Sequence, residues 1–261
     1  MSAILTVREL HKSFGSVVAA RDINVAVPAL QTVGIIGANG AGKTTFVNMI
    51  TGHLRPTSGA IYFAAHDITG RPSREIARLG VARSFQMPQI FGSLTVQENI
   101  CAATAIARAG AGLFAQATTP LHAPRTLADG NAALELFRIG DYRHRSAATL
   151  PQGVRKLLDI AMAVAGAPRV LLLDEPTSGI SIEEKFSLMD VVMAALKDRR
   201  ITVLFVEHDM EIVGRYADRV LAFYDGAVIA DGPPAKTLEN PRIQELIAGP
   251  MLRPATGGRH A

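Results

Sequence analysis

The sequence is poor in cysteine and in aromatic residues. Its 261 residues include one cysteine and no tryptophan, and aromatic residues make up 5% of the chain. A single cysteine excludes an internal disulfide and indicates a reducing compartment. So few aromatic residues disfavour a protein that binds nucleic acid by stacking bases on aromatic side chains. Cys101, between Ile100 and Ala102, is expected to be a small buried apolar residue rather than a nucleophile.

Long apolar runs and a strong charge of one sign are also missing. The most apolar windows are broken by Arg108 and by Pro168-Arg169, and neither reaches the roughly 20 apolar residues that a membrane-spanning helix needs. There are 27 basic and 23 acidic residues, a formal net charge of +4. This balance favours an ordinary solvated surface over one that binds nucleic acid or anionic lipid. Any association with a membrane must therefore come through a partner.

Short runs of Val, Ile and Leu between turn residues are abundant. Two alternating runs in residues 4–27 predict a β-hairpin or meander. Continuous apolar runs predict buried strands of a parallel sheet, and Asp225-Gly226 predicts the turn of a second hairpin. Residues 94–161 predict a helical insertion, with an irregular segment between Gly110 and Pro124. Strands are also predicted at 33–36, 60–63, 81–85, 169–176 and 201–208, and helices at 44–51, 73–80 and 181–198.

A complete phosphate-binding pattern follows the first buried strand. Residues 37–44 read GANGAGKT and match G-x-x-x-x-G-K-[ST] without a mismatch. Glycines let the backbone curl so that successive N–H groups point at phosphate oxygens, and the following helix adds its positive dipole end. Lys43 can reach the β- and γ-phosphates, and the hydroxyl of Thr44 can bind Mg²⁺. The preceding strand and following helix supply the context that a chance glycine-rich turn lacks.

Polar side chains stand at the ends of later buried strands. Asp174 and Glu175 end the run VLLLDE, where ligands bind in open parallel sheets. Asp174 is predicted to hold Mg²⁺, and Glu175 to polarise the attacking water. His208 ends TVLFVEH and could reach a γ-phosphate or hold the attacking water in line. Gln86 follows VARSF and could bridge Mg²⁺ and that water. Each is ordinary by itself, since a carboxylate pair can be a solvated turn and a histidine a structural neighbour.

Together and in this order, the motifs resemble the ATP-binding cassette (ABC) family of transporter ATPases, from about Ile4 to about Gly249. The resemblance implies an α/β P-loop ATPase core with a mainly parallel sheet, an N-terminal antiparallel β subdomain and an inserted helical subdomain. It implies ATP and Mg²⁺ as cofactors and ATP hydrolysis as the activity. The residues that match the family's functional positions are Phe14 for the adenine; Gly37, Asn39, Gly40, Ala41, Gly42, Lys43, Thr44 and Thr45 for the phosphates; Thr44, Gln86 and Asp174 for Mg²⁺; Glu175, His208 and Gln86 for hydrolysis; and Ser178-Gly179-Ile180-Ser181 for the D-loop.

The phrases GVARSFQMPQIFGSLTVQENI and VEHDM are similar to ATP-binding subunits of branched-chain amino-acid importers. That resemblance implies a second ATPase subunit, transmembrane permease subunits and, indirectly, a solute-binding protein, with no role for nucleic acid. It implies a peripheral location on the cytoplasmic face of the inner membrane. The segment Met87–Leu94 would press on a loop of a membrane subunit. The solute is not read by the ATPase, so urea, amide and aromatic-acid importers of the subgroup stay open.

One loop departs from the family pattern. The signature, LSGGQ or a close variant in the family, here reads Leu150-Pro151-Gln152-Gly153-Val154. Pro151 brings neither a hydroxyl nor a backbone N–H for the γ-phosphate bound by the opposite subunit. Gly153, a helix N-terminus near Val154 and the basic pair Arg155-Lys156 could compensate. We therefore favour an asymmetric heterodimer in which this loop completes the slower site; a homodimer, or a loop that works adequately, stays open.

We predict a single domain over residues 4–249 and a flexible tail at 250–261. Residues 4–90 and 162–240 would form the ATPase core with its β subdomain, and residues 91–161 the helical subdomain. Three rival functions have some support: a soluble ABC-type ATPase acting in DNA repair or on ribosomes, an ATP-dependent dimerisation switch, and a small-molecule kinase. Proteins with the first function usually carry tandem cassettes or long coiled-coil inserts, and this sequence shows neither. Intact Glu175 and His208 argue against the second, but Pro151 leaves it open for one of the two ATP sites. The third is disfavoured because no acceptor pocket or lid arginines stand out.

Overall fold

The computed structural model describes residues 3–108 and 123–248. Residues 110–122 of the predicted irregular segment and the predicted tail at 250–261 lie outside this range. The strands are β1 (Ala3–Phe14), β2 (Val17–Pro28), β3 (Thr32–Gly37), β4 (Ser58–Phe63), β5 (His66–Asp67), β6 (Val81–Arg83), β7 (Val170–Asp174), β8 (Thr202–Val206), β9 (Arg219–Tyr224) and β10 (Ala227–Gly232). The α-helices are α1 (Lys43–Ile50), α2 (Ser73–Leu79), α3 (Val96–Arg108), α4 (Pro124–Leu136), α5 (Gln152–Val164), α6 (Ile182–Asp198), α7 (Met210–Tyr216), α8 (Pro234–Leu238) and α9 (Pro241–Ala248).

A six-stranded sheet forms the centre of the fold, in the order β10-β9-β3-β8-β7-β6. Its five strands from β9 to β6 are parallel, and β10 pairs antiparallel with β9 at one edge. All five residues of β7 and all five of β8 are buried, because strands covered on both faces need apolar residues throughout. The predicted mainly parallel α/β core is thereby confirmed.

The two faces of this sheet support two hydrophobic cores. In β7, Leu171 and Leu173 pack into one core and Val170 and Leu172 into the other, as the two-residue period of a strand requires. The first core is covered by α3 to α7. The second is covered by α1 and by an antiparallel sheet in the order β2-β1-β4-β5, which confirms the predicted N-terminal β subdomain.

Several predicted boundaries move by one or two residues. Helix α1 begins at Lys43 rather than Thr44, and β6 ends at Arg83 rather than Phe85. Strand β8 ends at Val206, so His208 lies beyond it. The hairpin of β9 and β10 turns at Asp225-Gly226, as predicted. In the ranges that the structure describes, no helix is long and apolar enough to cross a membrane.

Candidate nucleotide-binding and hydrolytic site

The predicted phosphate loop connects β3 to α1 at the carboxyl edge of the sheet. Gly42 has φ of 100°, and a Cβ built there would lie 2.6 Å from the carbonyl oxygen of Ala19. Gly37 is as crowded, since its Cβ would lie 2.5 Å from the carbonyl oxygen of Phe223. Both positions therefore need glycine for steric as well as conformational reasons. Helix α1 has no side-chain cap at its N-terminus, which leaves its first N–H groups for a ligand.

Lys43 is held across this loop. Its side chain is only 6% exposed, and Nζ donates to the carbonyl oxygens of Gly37 at 2.7 Å and Ala38 at 3.0 Å. Burial lowers the pKa of Lys43, while the negative charges of Glu175 and Asp174 oppose that shift. Thr44, the next residue, is exposed. The loop thus carries a preorganised cation beside an accessible hydroxyl.

Asp174 lies at the carboxyl end of β7 and is 7% exposed. Its Oδ2 accepts a hydrogen bond from Arg83 Nη2 at 2.5 Å. Arg83, at the end of β6, also donates through Nη1 to Asn48 Oδ1 on α1 at 2.6 Å. Neither Arg83 nor Asn48 was singled out from the sequence. Arginine on a strand that pairs with an aspartate-bearing strand is the only signal that could have indicated this ion pair.

Glu175 receives both of the side chains that the sequence placed near it. Gln86 Nε2 donates to Glu175 Oε2 at 2.7 Å, and His208 Nε2 lies 3.0 Å from Glu175 Oε1. Glu175 has φ of 47°, a conformation that is strained for a residue with a Cβ and is frequent at functional sites. The segment after β6 and the residue following Glu207 at the end of β8 therefore deliver two polar side chains to one carboxylate.

Glu207 is a further acidic residue that sequence reasoning missed. It is 4% exposed and accepts from the backbone amide of Thr177 at 2.9 Å and from its hydroxyl at 2.7 Å. Burial raises the pKa of Glu207, and the hydrogen bonds from Thr177 and the amide of His208 oppose that shift. The contact ties the segment after Glu175 to the end of β8. A glutamate adjoining a fully apolar strand was the available signal.

The signature loop differs in part from the expectation. Pro151 caps α5, which begins at Gln152 rather than near Val154. Lys156 cannot compensate for the missing serine, because it is 2% exposed and donates inside the chain to the carbonyl oxygens of Gln86 and Glu175. Arg155 donates to the carbonyl oxygen of Ala148. The compensation predicted for the basic pair is therefore wrong for Lys156, since its ammonium group is held inside the chain.

Two other predicted positions are accessible to a ligand or partner. Phe14, expected to stack on adenine, is 51% exposed, and Lys12 Nζ lies 4.9 Å from the centre of its ring. Gly153 has a free approach, since a Cβ built there would meet only Leu188 Cδ1 at 3.9 Å. The fold of the chain does not itself demand glycine at position 153.

The donor set at this edge of the sheet suits Mg²⁺. A hard divalent cation takes oxygen ligands, keeps several waters and shares the phosphates of a nucleotide, so a carboxylate and an exposed hydroxyl are enough on the protein side. Asp174 and Thr44 provide them, and the amide oxygen of Gln86 is left over by its N–H bond to Glu175. No cluster of three or more His, Cys, Asp or Glu that could hold a metal by itself occurs in residues 3–108 or 123–248.

A parallel sheet with a phosphate loop, a strand-end carboxylate pair and a histidine at one edge defines a P-loop nucleotide-hydrolysing protein. Comparison with known proteins narrows this class. The ABC transporter family model matches residues 20–178. The branched-chain amino acid transport ATP-binding proteins BraF of Pseudomonas aeruginosa and LivG of Escherichia coli K12 are each 34% identical, covering 94% of this chain and 98% of theirs.

Another relative and a solved structure extend the comparison. The lipopolysaccharide export ATP-binding protein LptB of Acidithiobacillus ferridurans is 30% identical over 97% of this chain and all of its own. The structure of MJ1267, an ATP-binding cassette of an ABC transporter, superposes with a TM-score of 0.82 at 28% identity and covers 94% of this chain and 99% of that one. This chain therefore belongs to the ABC transporter family and is an ABC-type ATPase.

Proposed function

We propose that the chain is the ATP-hydrolysing subunit of an importer for branched-chain amino acids or a related small polar solute. Similarity to BraF and LivG over nearly the whole length supports this solute class. The observation that carries the hydrolytic role is the placement of Gln86 and His208 on the two carboxylate oxygens of Glu175, at the sheet edge where the phosphate loop ends. Residues 4–249 form one ATPase domain in this proposal, with the helical subdomain at 91–161.

Nucleotide binding uses groups that are already in place. Phe14 stacks on the adenine, and the backbone amides of the loop from Gly37 to Thr45 receive the phosphates. Lys43 turns its ammonium from the two loop carbonyls toward the β- and γ-phosphates. Bound Mg²⁺ supplies neutralisation of phosphate charge, and Thr44, Asp174 and Gln86 are its protein ligands. Arg83 orients Asp174 through the 2.5 Å bond to Oδ2.

Hydrolysis then depends on Glu175. Its carboxylate accepts a proton from the water that attacks the γ-phosphorus, as the bond from that phosphorus to the bridging oxygen breaks. His208 and Gln86 keep the carboxylate oriented and hold the water in line. The left-handed backbone at Glu175 aims its side chain at this position, with φ of 47°. Loss of the γ-phosphate releases the groups that it held together and reopens the site.

The second ATPase subunit is proposed to face α5. Gly153 has no contact in the chain that would exclude a side chain, since the nearest atom is 3.9 Å from a built Cβ. The open space beside it is therefore available to a molecule outside the chain. We favour a heterodimer, because Pro151 weakens this signature loop and a partner with a complete loop would serve this chain's own ATP. A homodimer is the other outcome.

Membrane subunits are proposed to dock on the stretch of chain that follows Gln86. Met87 is 77% exposed and Phe91 50% exposed, and both belong to the stretch that begins at Gln86. Apolar side chains at such exposure favour a protein interface. A permease loop seated there would hold the chain as a peripheral subunit on the cytoplasmic face of the membrane, and a solute-binding protein would join on the opposite face. The 30% identity to an export protein makes the direction of transport a point to test.

The experiment is ATP hydrolysis by the purified chain, alone and with candidate ATPase and permease subunits, for wild type and Glu175→Gln. We expect weak activity alone, a rise on assembly, and a loss of about 100-fold or more in the variant, because the general base is gone. Uptake and efflux of labelled leucine by vesicles holding the assembled complex test solute and direction. Brisk hydrolysis by the chain alone that partners leave unchanged would favour the alternative, a soluble ABC-type ATPase.

A further inference from the structure

The helix after the signature loop carries two buried charged side chains. Lys156 is 2% exposed and Asp159 is 6% exposed. They lie three residues apart on α5, which places them on one face of the helix. Charged side chains are rarely buried to this extent unless hydrogen bonds or opposite charges satisfy them. Their partners therefore indicate what the two residues do.

Both side chains hold the backbone segment that carries Gln86. Lys156 Nζ donates to the carbonyl oxygen of Gln86 at 2.8 Å. Asp159 accepts from the amide of Phe85 through Oδ2 at 3.3 Å and from the amide of Gln89 through Oδ1 at 2.7 Å. Three hydrogen bonds from one helix thus fasten residues 85–89, which lie outside any helix or strand.

Lys156 also binds the backbone of the proposed general base. Its Nζ donates to the carbonyl oxygen of Glu175 at 3.0 Å. One ammonium group therefore joins the main chains of Gln86 and Glu175, whose side chains meet at 2.7 Å. The strained backbone of Glu175 gains a partner from α5 at the residue where its side chain must be aimed.

The charges of the pair compensate each other in this buried setting. Burial lowers the pKa of Lys156, and the negative charges of Asp159 and Glu207 foremost oppose the shift. Burial raises the pKa of Asp159, and the amides of Gln89 and Phe85 and the charge of Lys156 oppose it. Removing either side chain would leave the other as a less compensated buried charge.

We propose that Lys156 and Asp159 are positioning residues that fasten Gln86 and Glu175 to the helix beginning at the signature loop. Helix α5 then serves two ATP sites at once, because its N-terminus faces the nucleotide of the opposite subunit and its side chains set the hydrolytic pair of its own subunit. Displacement of α5 on closure would be passed directly to Gln86 and Glu175. The inference rests on the proposed hydrolytic function, and the first test below does not require it.

Hydrogen–deuterium exchange of the full-length chain tests the attachment. We expect Lys156→Met and Asp159→Asn each to raise the amide exchange rate of residues 85–89 by about 10-fold or more. The first variant loses the hydrogen bond to the Gln86 carbonyl oxygen, and the second weakens the hydrogen bonds from the amides of Phe85 and Gln89. Lys197→Met is the matched control, since Lys197 is an exposed lysine in the last turn of α6. Unchanged exchange in both variants, with the control also unchanged, overturns the proposal.

Steady-state hydrolysis by the assembled complex tests the consequence. We expect Lys156→Met to lower kcat by about 10-fold or more with KM for ATP within about threefold, and Lys156→Arg to recover most of it. In a Gln86→Ala background the same Lys156→Met change should cost much less, since the residue it positions is gone. A purely structural role predicts the same factor in both backgrounds, without rescue by arginine. A wild-type complex without hydrolysis defeats the proposed function, while the exchange result still decides the attachment.

Discussion

At the scale of single residues, the hydrolytic site depends on side chains that are held before any ligand arrives. The carboxylate of Glu175 is hydrogen-bonded to Gln86 and His208, and that of Asp174 to Arg83. Lys43 is bonded to its own loop. Preorganised groups of this kind need little rearrangement when charge develops in the transition state. Burying a charged group lowers the free energy of unfolding, however. At Glu207 the size of that loss depends on pH.

We expect Glu207→Gln to reduce the loss of stability as pH rises. Burial raises the pKa of Glu207 above its ordinary value of 4.5, so the folded protein binds this proton more tightly than the unfolded chain. The free energy of unfolding therefore falls as pH rises from the ordinary pKa through the raised one. Glutamine cannot titrate and keeps an oxygen that can accept from Thr177.

Urea unfolding between about pH 4 and pH 8 measures this difference in pH dependence. Glu239→Gln serves as the control, because Glu239 is exposed at the end of α8. A pH dependence equal to or steeper than wild type in Glu207→Gln, with the control behaving like wild type, would contradict the account of Glu207.

At the scale of elements, α5 combines several features that disfavour it in the isolated chain. It begins after Pro151 without a side-chain cap and has glycine as its second residue, where glycine weakens a helix. It also buries two charges. These features lower the stability of the helix itself. They are explained if the N-terminus of α5 meets a nucleotide and its buried charged side chains hold residues 85–89 and Glu175.

We expect Gly153→Ala to stabilise the chain and to impair the assembly. Alanine favours a helix by about 0.5–1 kcal/mol over glycine, and the nearest atom to the new Cβ is 3.9 Å away. In the dimer the same methyl group would enter the space of the opposite γ-phosphate. Thermal unfolding of the chain should therefore shift upward, while ATP turnover of the assembled complex falls.

Gly214→Ala is the matched control for this prediction. Gly214 lies in α7, and the nearest atom to a built Cβ is Leu238 Cδ1 at 3.4 Å. It should change stability with no loss of turnover. Full turnover in Gly153→Ala would mean that no partner nucleotide approaches this end of α5.

At the scale of the whole molecule, the two faces of the central sheet pack against different structures. One core joins the sheet to α1 and the antiparallel sheet, which carries Phe14. The other joins it to α3 to α7, including the helix of the signature loop. The phosphate loop and Glu175 lie at the carboxyl edge of the sheet that both cores share. In the function proposed above, a second subunit completes the site for a nucleotide bound at that edge.

We expect Pro151→Ser to raise ATP turnover of the assembled complex. Serine restores a backbone N–H and a hydroxyl at the N-terminus of α5. Its hydroxyl can also cap the first turn of the helix, which stabilises a helix by about 1 kcal/mol. In an asymmetric heterodimer the slower site would gain rate, so total turnover should increase by up to about twofold. Stimulated hydrolysis of the complex is the measurement.

Pro151→Ala separates the two restored groups, because it returns the N–H without the hydroxyl. A gain in Pro151→Ser alone assigns the effect to the hydroxyl, and a gain in both assigns it to the N–H. No change in either variant would remove the reason for an asymmetric pair and favour a loop that works adequately through Gly153.

The sequence alone determined the family, the phosphate loop, the mainly parallel core and the gathering of Glu175, His208 and Gln86. These depend on local patterns and on one rule, that parallel strands end at the same sheet edge. It did not reveal Arg83, Glu207 or the roles of Lys156 and Asp159, and it assigned Lys156 to the wrong surface. Whether a charged side chain faces solvent or a buried carbonyl depends on residues 70 or more positions away, brought there by packing. Contacts of that kind are decided only when the tertiary structure closes, because neither periodicity nor motif spacing encodes them.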